Sequence, residues 1–245
     1  MVSGFSKLSR VLIEEKPIGV FADTTILFSA TFPTDLFNAE SEQLFDTLSA
    51  AAVPTFVSVN VRAEFLENHR RAYIADSLVD FLDDMEADLD GVILLKLQSH
   101  RKSHRKKADE ERNTKLDVNQ IKMFRSLLMT FPWKNGNGWD LLCRNYLKPQ
   151  LTPEWDDAER ELALNFISTR AADKSPFLSE LPNWERAVEL MGDYGISSAD
   201  AMILNMFLCS KIPILVTADL EMADCAMRES KDTKKVFVPD SALRL

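Results

Sequence analysis

Four carboxylates in this chain fall at junctions between apolar segments and the turns beside them. Asp23 closes the apolar run IGVFAD and Asp219 closes PILVTAD, while Asp200 opens the helical pattern ADAMILNMFLCS. Glu64 lies in the first turns of the helical pattern that follows VPTFVSVN. An acid at the end of a buried strand seldom lacks a partner, because an unpaired charge held away from water is strongly disfavoured. If these strands are neighbours, all four acids meet on one rim, where like charges raise one another's pKa. A hard divalent cation with oxygen ligands, Mg²⁺ or Mn²⁺, relieves that repulsion. The chemistry on offer is that of a metal centre.

Each acid also has a plainer explanation. Asp219 could cap the helix after it, and Asp200 could complement the dipole of its own helix, effects worth about 1 kcal/mol or less. Glu64 shares a polar face with Glu67 and Arg71, as on any solvated helix. Asp23 could cap its turn through Thr24 or Thr25. None of these explanations accounts for four acids in this order.

Positioning the four requires a framework of alternating strands and helices. IGVFAD (18–23) is short and apolar, as expected of a strand buried on both faces, and a helical stripe follows from Thr34 to about Ala51. VPTFVSVN is a second strand ending at Asn60, which is expected to cap a long helix through VRAEFLENHRRAYIADSLVDFLDDM. Near the C-terminus come the helix ADAMILNMFLCS, the strand PILVTAD, the helix LEMADCAMRES, the strand KVFV and a short end, PDSALRL. This alternation predicts an α/β fold, a three-layer α/β/α sandwich around a mostly parallel sheet. In such sheets ligands bind beyond the carboxyl ends of the strands, where Asp23 and Asp219 fall. The middle of the chain is charge-rich and helical in pattern, with turn signals at NGNG (135–138) and KPQLTPE (148–154). Thr152-Pro153 reads as a helix-opening pair within it. The expected organisation is a core of 1–89 with 183–245, carrying a helical insertion or lobe at 90–182.

With 245 residues, 46% apolar and 27% charged, the composition is that of an ordinary globular protein. A net charge of −9 argues against nucleic-acid affinity through the whole surface. Cys143, Cys209 and Cys225 form no CxxC, which argues against a disulfide framework or zinc site and for a reducing compartment. No apolar run reaches the roughly 18 residues of a membrane span, since Asn205 and Lys211 interrupt the best candidate. A cytoplasmic protein without membrane partners is expected.

KLQSHRKSHRKKADEER (96–112) carries six Lys or Arg between Lys96 and Lys107, ahead of the first acid, Asp109. Arg101, Lys102, Arg105, Lys106 and Lys107 could contact phosphates and give salt-dependent RNA affinity. A solvated helix face, or pairing with the acidic DFLDDMEADLD (80–90), explains the run equally well. His100 and His104, four residues apart, read as part of the basic face. Trp133, Trp139, Trp155 and Trp184 read as core or interface residues rather than base-stacking platforms.

These segments together resemble the PIN-domain nuclease family. ADTTIL (22–27) looks like its opening strand, VRAEFLE (61–67) like its second acidic position, and SADAMILNM (198–206) like its third. ILVTAD (214–219) is similar to its strand ending in a hydroxyl residue and an acid, and VFVPDSAL (236–243) to its closing strand. The likeness covers roughly 17–80 and 190–245; the central region has no counterpart in compact members. The resemblance implies a metal-dependent ribonuclease in which Asp23, Glu64, Asp200 and Asp219 are catalytic and bind Mg²⁺ or Mn²⁺. Thr24, Thr25 and Thr217 would be supporting hydroxyls, and Asp224 a surface acid. Such a centre hydrolyses RNA phosphodiester bonds through metal-activated water, without a protein nucleophile. RNA is the implied partner; a homo-oligomer fits, and nothing in the residues points to a protein partner such as an antitoxin. Two rivals stand beside this: an inert PIN-like RNA-binding or assembly module, and a haloacid-dehalogenase-like phosphatase. The second is disfavoured because threonine occupies position 25, where that chemistry needs a second aspartate.

Overall fold

The computed structural model describes residues 2–110, 112–134, 136–167, 176–231 and 233–244. Eight strands and twelve α-helices alternate along them. Six strands form one sheet: β1 (Ser3–Gly4), β2 (Val20–Ala22), β3 (Thr55–Val57), β6 (Leu164–Phe166), β7 (Ile214–Val216) and β8 (Lys235–Val238). The order across it is β1-β8-β7-β2-β3-β6, and every pairing is parallel. Phe21 of β2 lies opposite Leu215 of β7 on one side and Phe56 of β3 on the other. Each residue of β2, β3 and β7 is buried, which explains why those strands read as unbroken apolar runs.

Between β2 and β3 lie α2 (Thr24–Thr31) and α3 (Asn38–Ala50); between β7 and β8 lies α12 (Leu220–Ser230). From β2 the chain steps to β3 on one side, whereas from β7 it steps to β8 on the other. Right-handed crossovers therefore put α2 and α3 on one face and α12 on the other, an arrangement compatible with three layers. The direction of winding reverses between β7 and β2, and the carboxyl edge at such a reversal is where open parallel sheets bind ligands.

Several expectations need correction. The first helix after Asp23 begins at Thr24, and the helical stripe expected from Thr34 starts at Asn38. Ser58, not Asn60, precedes the long α4 (Val59–Met85): its carbonyl accepts from Arg62 N–H at 3.1 Å and its hydroxyl from Val61 N–H at 3.4 Å. The edge strands β1 and β6 arise from stretches with no strand pattern. A further helix, α1 (Leu8–Glu15), lies between β1 and β2.

The chain divides into two compact units: residues 1–33, 37–65 and 158–245, and residues 34–36 with 66–157. The expected insertion at 90–182 is thus shifted, with its limits at 66 and 157. Leu78, Phe81 and Leu82 of α4 share one apolar core with Ile93 and Leu97 of α5 (Gly91–Asp109) and Phe124 of α6 (Val118–Met129). At the other end, β6 pairs with β3 and so belongs to the sheet. The helical unit is completed by the short pair β4 (Pro132–Trp133) and β5 (Gly136–Asn137), then α7 (Gly138–Leu142), α8 (Lys148–Leu151) and the start of α9 (Glu154–Glu161). Trp155 is buried there, and Trp133 and Trp139 pack against its core.

Within this unit α4 and α5 run antiparallel, joined at Asp83–Arg101, Asp76–His104 and Glu86–Gln98. Asp90 caps α5 by accepting from Val92 and Ile93 N–H, both at 3.0 Å. His100 turns inward, its Nε2 2.9 Å from the Ala75 carbonyl and its ring edge-on to Phe124. The two histidines therefore belong to the packed side of α5, not to its basic face. In the sheet unit, α10 (Trp184–Tyr194) packs on α11 (Ser198–Cys209), which leads into β7. Among the described residues no helix is long and apolar enough to cross a membrane.

Candidate functional site

Asp23 follows β2 directly, and its backbone N–H donates to Val216 of the neighbouring β7 at 3.0 Å. The sheet thus delivers the side chain to the reversal of winding, where it is 2% exposed. One carboxylate oxygen, Oδ2, accepts from the Thr25 hydroxyl at 2.7 Å and from the Thr217 hydroxyl at 2.8 Å. Those hydroxyls in turn accept backbone N–H groups, Ala218 onto Thr25 at 2.9 Å and Asp219 onto Thr217 at 3.0 Å. A hydroxyl has one proton, and both are committed to Asp23. The 3.2 Å approach of the two hydroxyls is therefore a packing contact, not a further hydrogen bond. The network ties the end of β2 to the turn after β7, so the turn holds the carboxylate in one orientation.

The other oxygen, Asp23 Oδ1, is buried and has no hydrogen-bond partner. Although Asp23 stands at the N-cap of α2, its side chain makes no capping bond. The plainer explanation, a turn closed through Thr25, accounts for Oδ2 but leaves Oδ1 unexplained. Burial pushes its carboxyl above the ordinary range against the pull of the Thr25 and Thr217 hydroxyls, and the charge of Asp200 adds to the rise.

Asp200 is half-buried in the first turn of α11. Ser197 caps that helix, its hydroxyl accepting Asp200 N–H at 3.2 Å, so the Asp200 carboxylate is not consumed as a cap. Asp219 is divided in use: Oδ1 caps α12 by accepting from Glu221 N–H at 2.8 Å and Met222 N–H at 3.1 Å, while Oδ2 takes no part. Glu64 sits half-buried in the second turn of α4, one strand over at the same edge. Asp224 is a surface acid paired with Arg228 at 2.7 Å. Thr24 does not join the network expected of it; its hydroxyl is buried and unbonded, because α2 turns it away from the carboxylate that Thr25 reaches. The backbone N–H of Ala218 is a structural member that no side-chain pattern could reveal, whereas Ser197 was legible as a cap three residues before Asp200.

Among the described residues no three His, Cys, Asp or Glu side chains gather closely enough to form a ready-made metal cage. The expected convergence of four acids is therefore reduced to Asp23 with Asp200 near it, and Asp219 held through Thr217. Mg²⁺ characteristically uses only one or two carboxylates and keeps several waters. An unbonded, buried carboxylate oxygen beside a second uncapped acid fits that limited demand. On α5, Arg101 is taken up by Asp83 at 2.5 Å and Lys106 stands 3.7 Å from Glu110, while Lys102, Arg105 and Lys107 have no ion-pair partner among the described residues. Comparison with family models, with curated proteins and with solved structures finds no match to this chain.

Proposed function

We propose that this chain is a metal-dependent nuclease of the PIN-domain type, hydrolysing RNA phosphodiester bonds in the cytoplasm. The observation that carries the proposal is the buried, unbonded Oδ1 of Asp23, set where parallel sheets bind ligands and repelled by Asp200. A bound cation would stabilise the charged carboxylate in that position. Mg²⁺ or Mn²⁺ bound there supplies polarisation of a phosphate oxygen and a more acidic water. Asp23 and Asp200 would hold it, with the free oxygen of Asp219 beside them and Glu64 positioned to orient the attacking water. Thr25 and Thr217 keep Asp23 Oδ2 occupied, which leaves Oδ1 as the ligating atom. The unpaired Lys102, Arg105 and Lys107 of α5 would add salt-dependent phosphate contacts.

Titration with Mn²⁺ in the presence of labelled RNA tests the reading. Cleavage that requires the metal is expected, together with a rise in thermal midpoint on Mn²⁺ addition. Neither effect appearing overturns it. One observation favours the inert RNA-binding module instead: Asp219 spends an oxygen on its helix, and among the described residues no three acids gather as a metal cage. RNA binding without metal-dependent cleavage is the outcome that selects that module.

A further inference from the structure

On α10, Trp184 and Val188 are 57% and 49% exposed, and Gly192 continues their line one turn further. The three are spaced four apart, so they form a single stripe on the solvent side, away from the buried Ala187 and Leu190. Gly192 has no internal justification: a Cβ built there meets nothing within 4 Å, yet glycine inside a helix is less stable than alanine by about 1 kcal/mol. A smooth position at the end of an apolar stripe is useful when another backbone must come close. Beside the stripe runs a second one, Glu185, Glu189 and Asp193, also exposed and spaced four apart. Of these acids, Glu189 alone has a cation among the described residues, Arg186 at 2.8 Å. The face therefore asks for a helix that is apolar on its contact line and basic alongside.

The chain itself displays such a helix. On α5, Val92 and Leu95 are 66% and 68% exposed, and Ser99 is exposed after them. Their spacing, three then four residues, follows that of Trp184, Val188 and Gly192 closely enough to set small Ser99 against Gly192. Lys96 and Lys102 are exposed and, among the described residues, without an ion-pair partner; they flank the apolar line on opposite edges, and with the two helices parallel it is Lys102 that meets the acidic edge of α10, near Asp193. We propose that α10 is a docking surface for α5 of a second copy of this chain, through apolar contact of Trp184 and Val188 with Val92 and Leu95 and charge contact of Asp193 with Lys102. A single helix pair falls below the roughly 1,200 Å² of a standard interface, so the association is weak and concentration-dependent. It does not depend on the metal site.

Sedimentation of the full chain over a wide concentration range reads the association directly. Self-association that is lost in Val188→Glu and in Leu95→Glu is expected. Gly192→Leu should weaken it while raising the thermal midpoint, a combination that a purely structural glycine does not produce. Charge reversal gives the sharpest arm: an Asp193→Lys chain and a Lys102→Glu chain should each associate poorly alone and pair when mixed. A wild-type chain that stays monomeric throughout overturns the proposal. So does self-association that these substitutions leave unchanged.

Discussion

The molecule contains two concentrations of acids, and it treats them in opposite ways. Along α4, Asp76 and Asp83 face a second helix that answers them, His104 at 2.7 Å and Arg101 at 2.5 Å. At the carboxyl edge of the sheet, Asp23, Asp200 and Asp219 have no Lys, Arg or His partner among the described residues, and the most buried of them keeps an oxygen unbonded. The first set explains itself as packing between antiparallel helices. The second does not, because folding gains nothing from an orphaned carboxylate oxygen. An acid cluster is a functional candidate when the chain has declined to neutralise it, not when it is merely acidic.

The largest test of this contrast is Asp23→Asn. Removing the first ligand should reduce Mn²⁺-dependent RNA cleavage by more than the roughly 100-fold lost on removing an outer hydrogen-bond partner. Asp83→Asn on α4 should leave cleavage intact. Equal activity of the Asp23→Asn and wild-type proteins would remove the distinction between the two regions. Next in size, Thr25→Val with Thr217→Val frees Oδ2 and lets the carboxylate turn. Mn²⁺ affinity measured by calorimetry should fall by about 10- to 100-fold with the fold preserved. Unchanged affinity would mean that the hydroxyls serve the turn alone.

The two regions should also respond to pH with opposite signs. Burial raises the Asp23 carboxyl above its ordinary 3.8, so in metal-free protein the native state holds this proton after the unfolded state has lost it. The stability of the sheet unit therefore falls as pH rises from 3.8 through the raised value. Burial lowers His100 below its ordinary 6.5, so the unfolded state gains this proton first. The helical unit therefore loses stability as pH falls below 6.5. Hydrogen exchange read separately over the two units should show these opposed trends between pH 7 and pH 4. In metal-free protein Asp23→Asn should flatten the first trend and raise stability at pH 7 by about 1 kcal/mol, a modest gain because the new amide donor is itself unmatched. Parallel trends in both units would contradict the assignment.

How far these differences were legible depends on whether the signal lay along the chain or across it. The strands β2, β3 and β7 announced themselves as apolar runs because both faces are covered. Asp23, Thr25 and Thr217 were legible as a group because acid and hydroxyls end neighbouring strands. By contrast, α2 opens with Thr24, Thr25 and Ile26, β-branched residues of poor helix propensity, and burial of Ile26, Leu27 and Phe28 overrides them. β1 and β6 have no pattern of their own and exist because β8 and β3 offer an unpaired edge. The inward histidines could have been found: Ile93, Leu97, His100 and His104 are spaced as one helical stripe, and the first two are plainly core. What no pattern carries is the division of Asp219 between cap and carboxyl edge, which depends on how the turn after β7 folds.

The smallest expected effect bears on the helical hairpin. Asp83→Asn deletes a pair whose side chains are 48% and 23% exposed, so water already screens much of it. The loss in stability should stay below about 1 kcal/mol, visible in denaturant midpoints and shrinking further at high salt. It should also release Arg101 into the company of Lys102 and Arg105. If α5 contacts phosphates, RNA affinity rises slightly and its salt dependence steepens by up to about one phosphate contact. A stability loss of several kcal/mol would instead mark Asp83–Arg101 as the lock of the hairpin. The contrast between a neutralised and an unneutralised acid cluster would then extend from function to folding.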